Sequence, residues 1–294
     1  MLPQIPQPRL TAAIDGVSLT RTFRRVQHES EPITQEFTGA EMEIIISETY
    51  QEMSKAAAKV IASVMNSKPN AVLGMATGST PLGVYNELVR MHKEEGLDFS
   101  QVTTFNLDEY VGLPVTHEQS FHYFMHENFF KHVNMPRQNI YIPSGTTDNY
   151  EAFCAWYEHR IEESGGIDVQ ILGIGSDGHI AFNEPTSSLG SRTRIKTLAK
   201  QTIDDNARFF ADPKDVPIYA ITMGVGTILE AGRIILLANG KKKASAVAAA
   251  VEGPVTSMIT ASALQLHPEV LVFVDKPASG KLEMGEYYRW IQHN

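Results

Sequence analysis

Three acid–base groups stand close together in the stretch Gly173-Ile174-Gly175-Ser176-Asp177-Gly178-His179-Ile180-Ala181-Phe182-Asn183-Glu184-Pro185. An imidazole exchanges protons near neutral pH, and a neighbouring carboxylate can orient the ring and support its charged form. Asp177, His179 and Glu184 therefore have the composition of a proton relay, and the interspersed glycines admit backbone angles that other residues avoid. Asp-Gly-His alone also fits a turn whose histidine bonds backbone; the full stretch is what points to chemistry. A second candidate is Asn106-Leu107-Asp108-Glu109-Tyr110. One of its adjacent acids can serve as a general base within reach of a substrate, or the pair can be a solvated acidic loop or the acids at a helix start. A third is Ala76-Thr77-Gly78-Ser79-Thr80-Pro81. Thr77, Ser79 and Thr80 offer hydroxyls, Gly78 permits close backbone approach, and Pro81 suits a first helical position. The N–H groups of a helix start attract an anion such as phosphate, although serine and threonine there also simply cap helices. The Gly-Lys-Ser/Thr ending of a P-loop is missing. Last comes Gly240-Lys241-Lys242-Lys243, a solvated basic run or the place of a phosphate-neutralising lysine.

What must hold these groups is an alternation of short apolar runs and helical segments. Strands are expected at Glu43–Ile46, Ala71–Met75, Val102–Phe105, Val169–Ile174, Ile218–Thr222, Ile234–Ala238 and Leu271–Val274. Between them lie helical patterns near Glu48–Met65, Pro81–Glu94, Ser120–His132, Glu151–Glu163 and Lys243–Val251. Uninterrupted apolar strands alternating with helices predict the α/β class: a single doubly wound, mostly parallel sheet with helices on both faces, Rossmann-like in outline. In such sheets ligands bind beyond the carboxyl ends of the strands, and all four polar segments follow expected strands.

The chain has 294 residues, 43% of them hydrophobic and 20% charged, with a formal charge of −9 and a pI near 5.6. That balance speaks against a nucleic-acid binder, and an anionic ligand needs local cations. One cysteine, Cys154, allows no intrachain disulfide and no cysteine zinc site; it reads as a buried filler. His122 and His126 stand at i, i+4, but no acid completes a metal site, so no metal is expected. No run is long enough to span a membrane, and the expected compartment is the cytoplasm. Residues 1–41 read as an irregular N-terminal extension ahead of a catalytic domain over residues 42–294. The extension carries Arg9, Arg21, Arg24 and Arg25 but, in its first 28 residues, only Asp15 as an acid. It fits a transit peptide, a disordered tail or a misassigned start codon, with Met42 as the alternative start.

The stretches Leu73–Pro81, Phe105–Leu113, Asp177–Pro185, Ser191–Leu198 and Gly224–Thr227 together resemble the glucosamine-6-phosphate deaminases, over about Met42 to Tyr288. The resemblance implies conversion of D-glucosamine 6-phosphate and water to D-fructose 6-phosphate and ammonia, without metal or organic cofactor. It implies Asp108 as the base moving a proton between C2 and C1, and His179, supported by Asp177 and Glu184, as the catalyst of ring opening. Thr77, Gly78, Ser79, Thr80, Arg208 and Lys243 resemble the phosphate-binding groups, which singles out Lys243 from its lysine run. Residues 194–222 resemble the family's lid. Some members are homo-hexamers activated by N-acetylglucosamine 6-phosphate, and Ser187, Arg194 and Lys196 resemble that allosteric site. Two departures predict weak or absent activation: the family start aligns near Met42, so the extension displaces an α-amino group that the site uses, and Arg289 stands near where activated members place a tyrosine.

Two rival readings share parts of this pattern. A 6-phosphogluconolactonase has a similar phosphate loop but hydrolyses an ester and needs no C2 proton transfer, so Asp108-Glu109-Tyr110 and Glu184 disfavour it. A sugar-phosphate sensor would be expected to carry a DNA-binding module, for which the extension is too short and irregular.

Overall fold

The structure, a computed structural model, describes residues 41–294; the expected extension lies outside them except for Glu41. The strands are β1 (Glu41–Ser47), β2 (Val72–Met75), β3 (Thr103–Asn106), β4 (Asp108–Tyr110), β5 (Ile140–Tyr141), β6 (Val169–Gly173), β7 (Arg194–Thr197), β8 (Tyr219–Thr222), β9 (Arg233–Ala238) and β10 (Glu269–Asp275). The helices are α1 (Tyr50–Ser67), α2 (Leu82–Arg90), α3 (Phe121–Asn128), α4 (Tyr150–Glu163), α5 (Lys200–Asn206), α6 (Val225–Leu229), α7 (Ala244–Val251) and α8 (Gly285–Gln292).

Seven strands form one sheet in the order β1-β10-β9-β6-β2-β3-β5, with every pairing parallel. From β2 the chain builds outward through β3 to β5. It then returns to β6 on the other side of β2 and builds the opposite way through β9 to β10. Right-handed crossovers running in opposite directions put their helices on opposite faces, the doubly wound arrangement expected from the alternation. Burial of the strands on both faces explains their uninterrupted apolar runs: Ile234 to Ala238 and Val270 to Val274 are all buried.

Local rules set the helix ends. Thr49 caps α1 reciprocally: its hydroxyl accepts from Glu52 N at 3.2 Å while Thr49 N donates to the Glu52 carboxylate, also at 3.2 Å. Met53, Ala57, Ile61 and Met65 then form one buried face of that helix; cutting Ile61 back to alanine costs about 2–5 kcal/mol. Pro81 stands at the N-cap of α2 rather than at its first helical position, and the helix ends in a π-helical turn over Met91–Glu95.

One strand lies elsewhere than expected. Residues 218–222 contribute β8 not to the parallel sheet but to a second, three-stranded antiparallel sheet in the order β4-β8-β7. An apolar run reports burial and not the direction of its partner, and both partners here, Asp-Glu-Tyr and Arg-Ile-Lys-Thr, are too polar to read as strands. Among the described residues no helix is long and apolar enough to cross a membrane.

Candidate active site

Four adjacent strands of the parallel sheet, in the order β9-β6-β2-β3, end at the same edge. Their following segments are the lysine run, the Gly173–Pro185 loop, the Thr77–Thr80 loop and the Asp108 segment. The sheet thus gathers all four polar motifs along one crevice, at the place where the chain reverses its direction of building.

The Gly173–Pro185 loop folds back on itself. Gly175 N donates to His179 O at 2.8 Å, and Gly178 adopts φ +89°. His179 Nδ1 lies 2.7 Å from Asp177 Oδ1 and 3.6 Å from Glu184 Oε2. These contacts are close but misaligned, so Nδ1 and Glu184 Oε2 are both buried without a hydrogen bond of good geometry. Burial raises the Asp177 pKa, but its close contact with His179 and backbone N–H groups outweigh it and hold the carboxyl below its ordinary range. Gly175 makes the packing possible: a Cβ there would meet the His179 ring at 2.5 Å and Asp177 Oδ1 at 2.6 Å. Glu184 Oε1 accepts from Ala199 N at 3.0 Å, which ties the relay to the segment leading into α5. Asp177, His179 and Glu184 offer ligand atoms within 4.8 Å of one another, a spacing that could also hold a metal ion; proton transfer through them needs none.

Asp108 opens β4, paired with Thr222 of β8, and is 6% exposed. Burial first, and the charge of Glu109 second, push its carboxyl up to about 8. A carboxyl poised near neutrality can take and return a proton. Its neighbour Glu109 turns the other way. It accepts from Phe121 N and His122 N, both at 3.0 Å, and from Tyr110 N at 2.8 Å, and meets His122 Nδ1 at 2.9 Å. The acid pair is therefore divided: Glu109 sits at a helix start, and Asp108 is buried without donors of that kind. His122 is occupied by Glu109, which accounts for one of the two histidines with metal-like spacing.

Gly78 has φ +97°, in the left-handed region. Tyr50 braces this loop, donating to Thr80 O at 2.9 Å and accepting from Gly83 N at 2.7 Å. Thr80 Oγ1 donates to Asn239 Oδ1 at 2.8 Å, bridging to the end of β9. Lys243 closes a 3-10 turn there; burial lowers its pKa, while Asp177 and Asp205 raise it and Arg208 lowers it further. Those couplings bring Lys243, Arg208 and the relay into one neighbourhood. Arg208 lies in a 3-10 turn after α5, stacked 4.7 Å over the Phe209 ring. Sequence reasoning missed the bracing residues Tyr50, Asn239 and Thr222, whose hydroxyl accepts from Phe182 N at 3.0 Å, since each acts through a partner distant in the chain.

Of the three residues expected at an effector site, Arg194 lines a cavity of about 1190 Å3 with Cys154, Glu158, Arg192 and Thr193. Arg194 donates to Asn183 Oδ1 at 2.8 Å, and Ser187 is buried with its hydroxyl unpartnered. Cys154 is buried as expected; desolvation and the charge of Glu158 push its thiol up to about 11, leaving it a poor nucleophile at neutral pH.

Residues 46–272 match the family model described as glucosamine-6-phosphate isomerases/6-phosphogluconolactonase. The chain belongs to this family. It is 54% identical over 241 residues to a glucosamine-6-phosphate deaminase of Halothermothrix orenii, covering 82% of this chain and all of that one. With a deaminase of Thermoanaerobacter pseudethanolicus it shares 50% identity over 238 residues, covering 81% and 94% respectively. A solved structure described as a monomeric glucosamine-6-phosphate deaminase superposes with TM-score 0.80 at 45% identity, over 82% of this chain and 100% of that one. A 6-phosphogluconolactonase from Thermotoga maritima, at 19% identity and TM-score 0.64 over 80% and 100%, shares the fold.

Two outcomes follow from this geometry. Gly175→Ala should lower kcat/KM by about ten- to a hundred-fold, because the displaced imidazole loses its working geometry, while circular dichroism stays native; unchanged activity would contradict the close packing. Asp108 has a native pKa above its unfolded value, so the native state binds the extra proton between about pH 4 and 8, and stability falls as pH rises through that window. Asp108→Asn should therefore melt progressively higher than wild type across that range, by up to a few kcal/mol, with the gain levelling off above about pH 8.

Proposed function

We infer that this chain is an enzyme converting D-glucosamine 6-phosphate and water to D-fructose 6-phosphate and ammonia. The observation that carries this reading is a buried carboxyl, Asp108, raised toward neutrality on the segment that follows β3, at the same sheet edge as the loop after β6 that carries His179. Ester hydrolysis has no use for a base aimed at a carbon-bound proton; moving a proton from C2 to C1 does. The identity to deaminases over most of the chain supports the same choice.

In this reading the helix start after Thr77-Gly78-Ser79-Thr80 receives the phosphate through backbone N–H groups, and Lys243 and Arg208 neutralise it. His179, oriented by Asp177 and Glu184, moves the proton that opens the pyranose ring. Asp108 takes the C2 proton and returns it to C1. Water then supplies the C2 oxygen as the amine leaves as ammonia, which balances the reaction without an external oxidant or cofactor. Arg208 lies on the segment that would cover the bound sugar, coupling phosphate recognition to exclusion of water. The natural setting is amino-sugar catabolism in the cytoplasm, downstream of N-acetylglucosamine.

A coupled assay should detect ammonia when the protein meets glucosamine 6-phosphate, and Asp108→Asn should reduce kcat by at least about a hundred-fold; silence of the wild type refutes the reading. Arg208→Ala should raise KM about ten-fold or more, in keeping with loss of a charge-assisted phosphate contact, and an unchanged KM removes Arg208 from the phosphate site.

A further inference from the structure

Glu184 is 4% exposed, and its two oxygens have unlike surroundings. Oε1 accepts from Ala199 N at 3.0 Å, whereas Oε2 is buried without a hydrogen-bond partner, 3.6 Å from His179 Nδ1. That nitrogen is also buried and unpartnered, with Asp177 Oδ1 at 2.7 Å. Buried polar atoms are costly to leave unpaired, and a cation between them satisfies both at once. Ligand atoms within 4.8 Å of one another are offered by no other group of three His, Cys, Asp or Glu side chains among the described residues. The histidine pair with metal-like spacing in the sequence is not such a group, since His122 Nδ1 meets Glu109 at 2.9 Å.

We propose that Asp177, His179 and Glu184 also bind one divalent ion of the zinc type, and that the ion, lodged in the relay, reversibly stops catalysis. One imidazole and two carboxylates suit zinc, whereas magnesium and calcium favour shells of six or more oxygens. With bonds of about 2.0–2.2 Å, ligand atoms around a tetrahedral zinc stand about 3.3 Å apart. The contacts of 2.7 and 3.6 Å from Nδ1 bracket that separation. Asp177 has the freedom to open the shorter one, its side chain being 32% exposed against 5% for Glu184. Two carboxylates balance the charge of the ion. The backing is in place as well: Ala199 N holds the other oxygen of Glu184, His179 N donates to Asp177 Oδ1 at 3.3 Å, and Gly175 N donates to His179 O at 2.8 Å. Such partners orient ligands before the ion arrives. Three protein ligands leave the fourth position to water, and the partial exposure of Asp177 and His179 gives the ion a way in. Bound there, the ion takes Nδ1 and both carboxylates, so the imidazole loses the groups that orient and support it for opening the sugar ring.

The inhibitory part rests on the deaminase reading, whereas binding of the ion does not, and the test keeps them apart. The full chain, freed of metal with EDTA, is titrated with zinc chloride in a calorimeter. Wild type should take up one zinc per chain at micromolar concentration. Asp177→Asn, His179→Ala and Glu184→Gln, each checked for native circular dichroism, should weaken binding by about ten-fold or more, and His126→Ala should leave it unchanged. These relay variants are read by binding alone, since each lacks one of the acid–base groups. In wild type, zinc at about ten times its dissociation constant should lower ammonia release from glucosamine 6-phosphate about ten-fold, and EDTA should restore it. No uptake by wild type, or binding that survives unchanged in any of the three variants, overturns the site. Uptake that leaves ammonia release unaffected overturns the inhibitory role. Should one variant fail to fold, the other two decide. A wild type that binds zinc but releases no ammonia with or without it refutes the deaminase reading and leaves the site standing.

Discussion

Parallel pairing forces neighbouring strands to finish at one edge of a sheet, and the chemistry of this protein depends on that constraint. β9, β6, β2 and β3 are consecutive in space although they are spread over residues 72–238 of the chain. Each is buried on both faces, so none can shift register without exposing apolar side chains. The loops that follow inherit their mutual placement from that rigidity. Thr80 reaching Asn239 across the crevice, and Glu184 reaching Ala199, are local consequences of a sheet that has already brought their backbones together.

The site is built against local stability. Asp108 is buried without a donor, Glu184 Oε2 and His179 Nδ1 lack aligned partners, and Ala181 and Thr186 adopt positive φ of 49° and 74°. Each of these costs on the order of 1–3 kcal/mol where nothing offsets it. Beneath them lies a buried core running from Ile44 to Ala278, whose burial offsets such local costs. Gathering such features at one sheet edge is what is expected where groups must remain ready to exchange protons.

The small antiparallel sheet adds a connection between the His179 loop and the segment after Arg208. Tyr110 of β4 lies 4.9 Å from Phe121 and 5.6 Å from Phe182, ring centre to ring centre, and 6.0 Å from Phe210. These four rings come from the Asp108 strand, the start of α3, the His179 loop and the segment after Arg208. Leu198 completes the same cluster. The segment after Arg208 is thereby packed against the loop that carries Glu184, beside the hydrogen bond from Ala199 N to Glu184.

Much of this was legible in the sequence because it is local. The strands of the main sheet announce themselves as apolar runs, α1 as a 3.6-residue pattern behind a capping box, and the relay as Asp177, His179 and Glu184 within eight residues. Such features follow from steric preference and burial of nearby side chains, so composition and spacing suffice to find them. What the linear chain left open was every choice that depends on a distant partner. It did not separate Asp108 from Glu109, because the division comes from the start of α3 claiming one of two adjacent acids. It did not distinguish β8 from the strands of the parallel sheet, since direction of pairing leaves no mark on an apolar run. Nor did residue pattern alone separate Lys243 from its neighbours; the turn after β9 leaves Lys241 and Lys242 exposed and Lys243 half-buried. The sequence by itself determined which groups are present and which segments are strands and helices; the tertiary structure decided which groups meet, because hydrogen bonding and desolvation act between residues that only folding brings within a few ångströms.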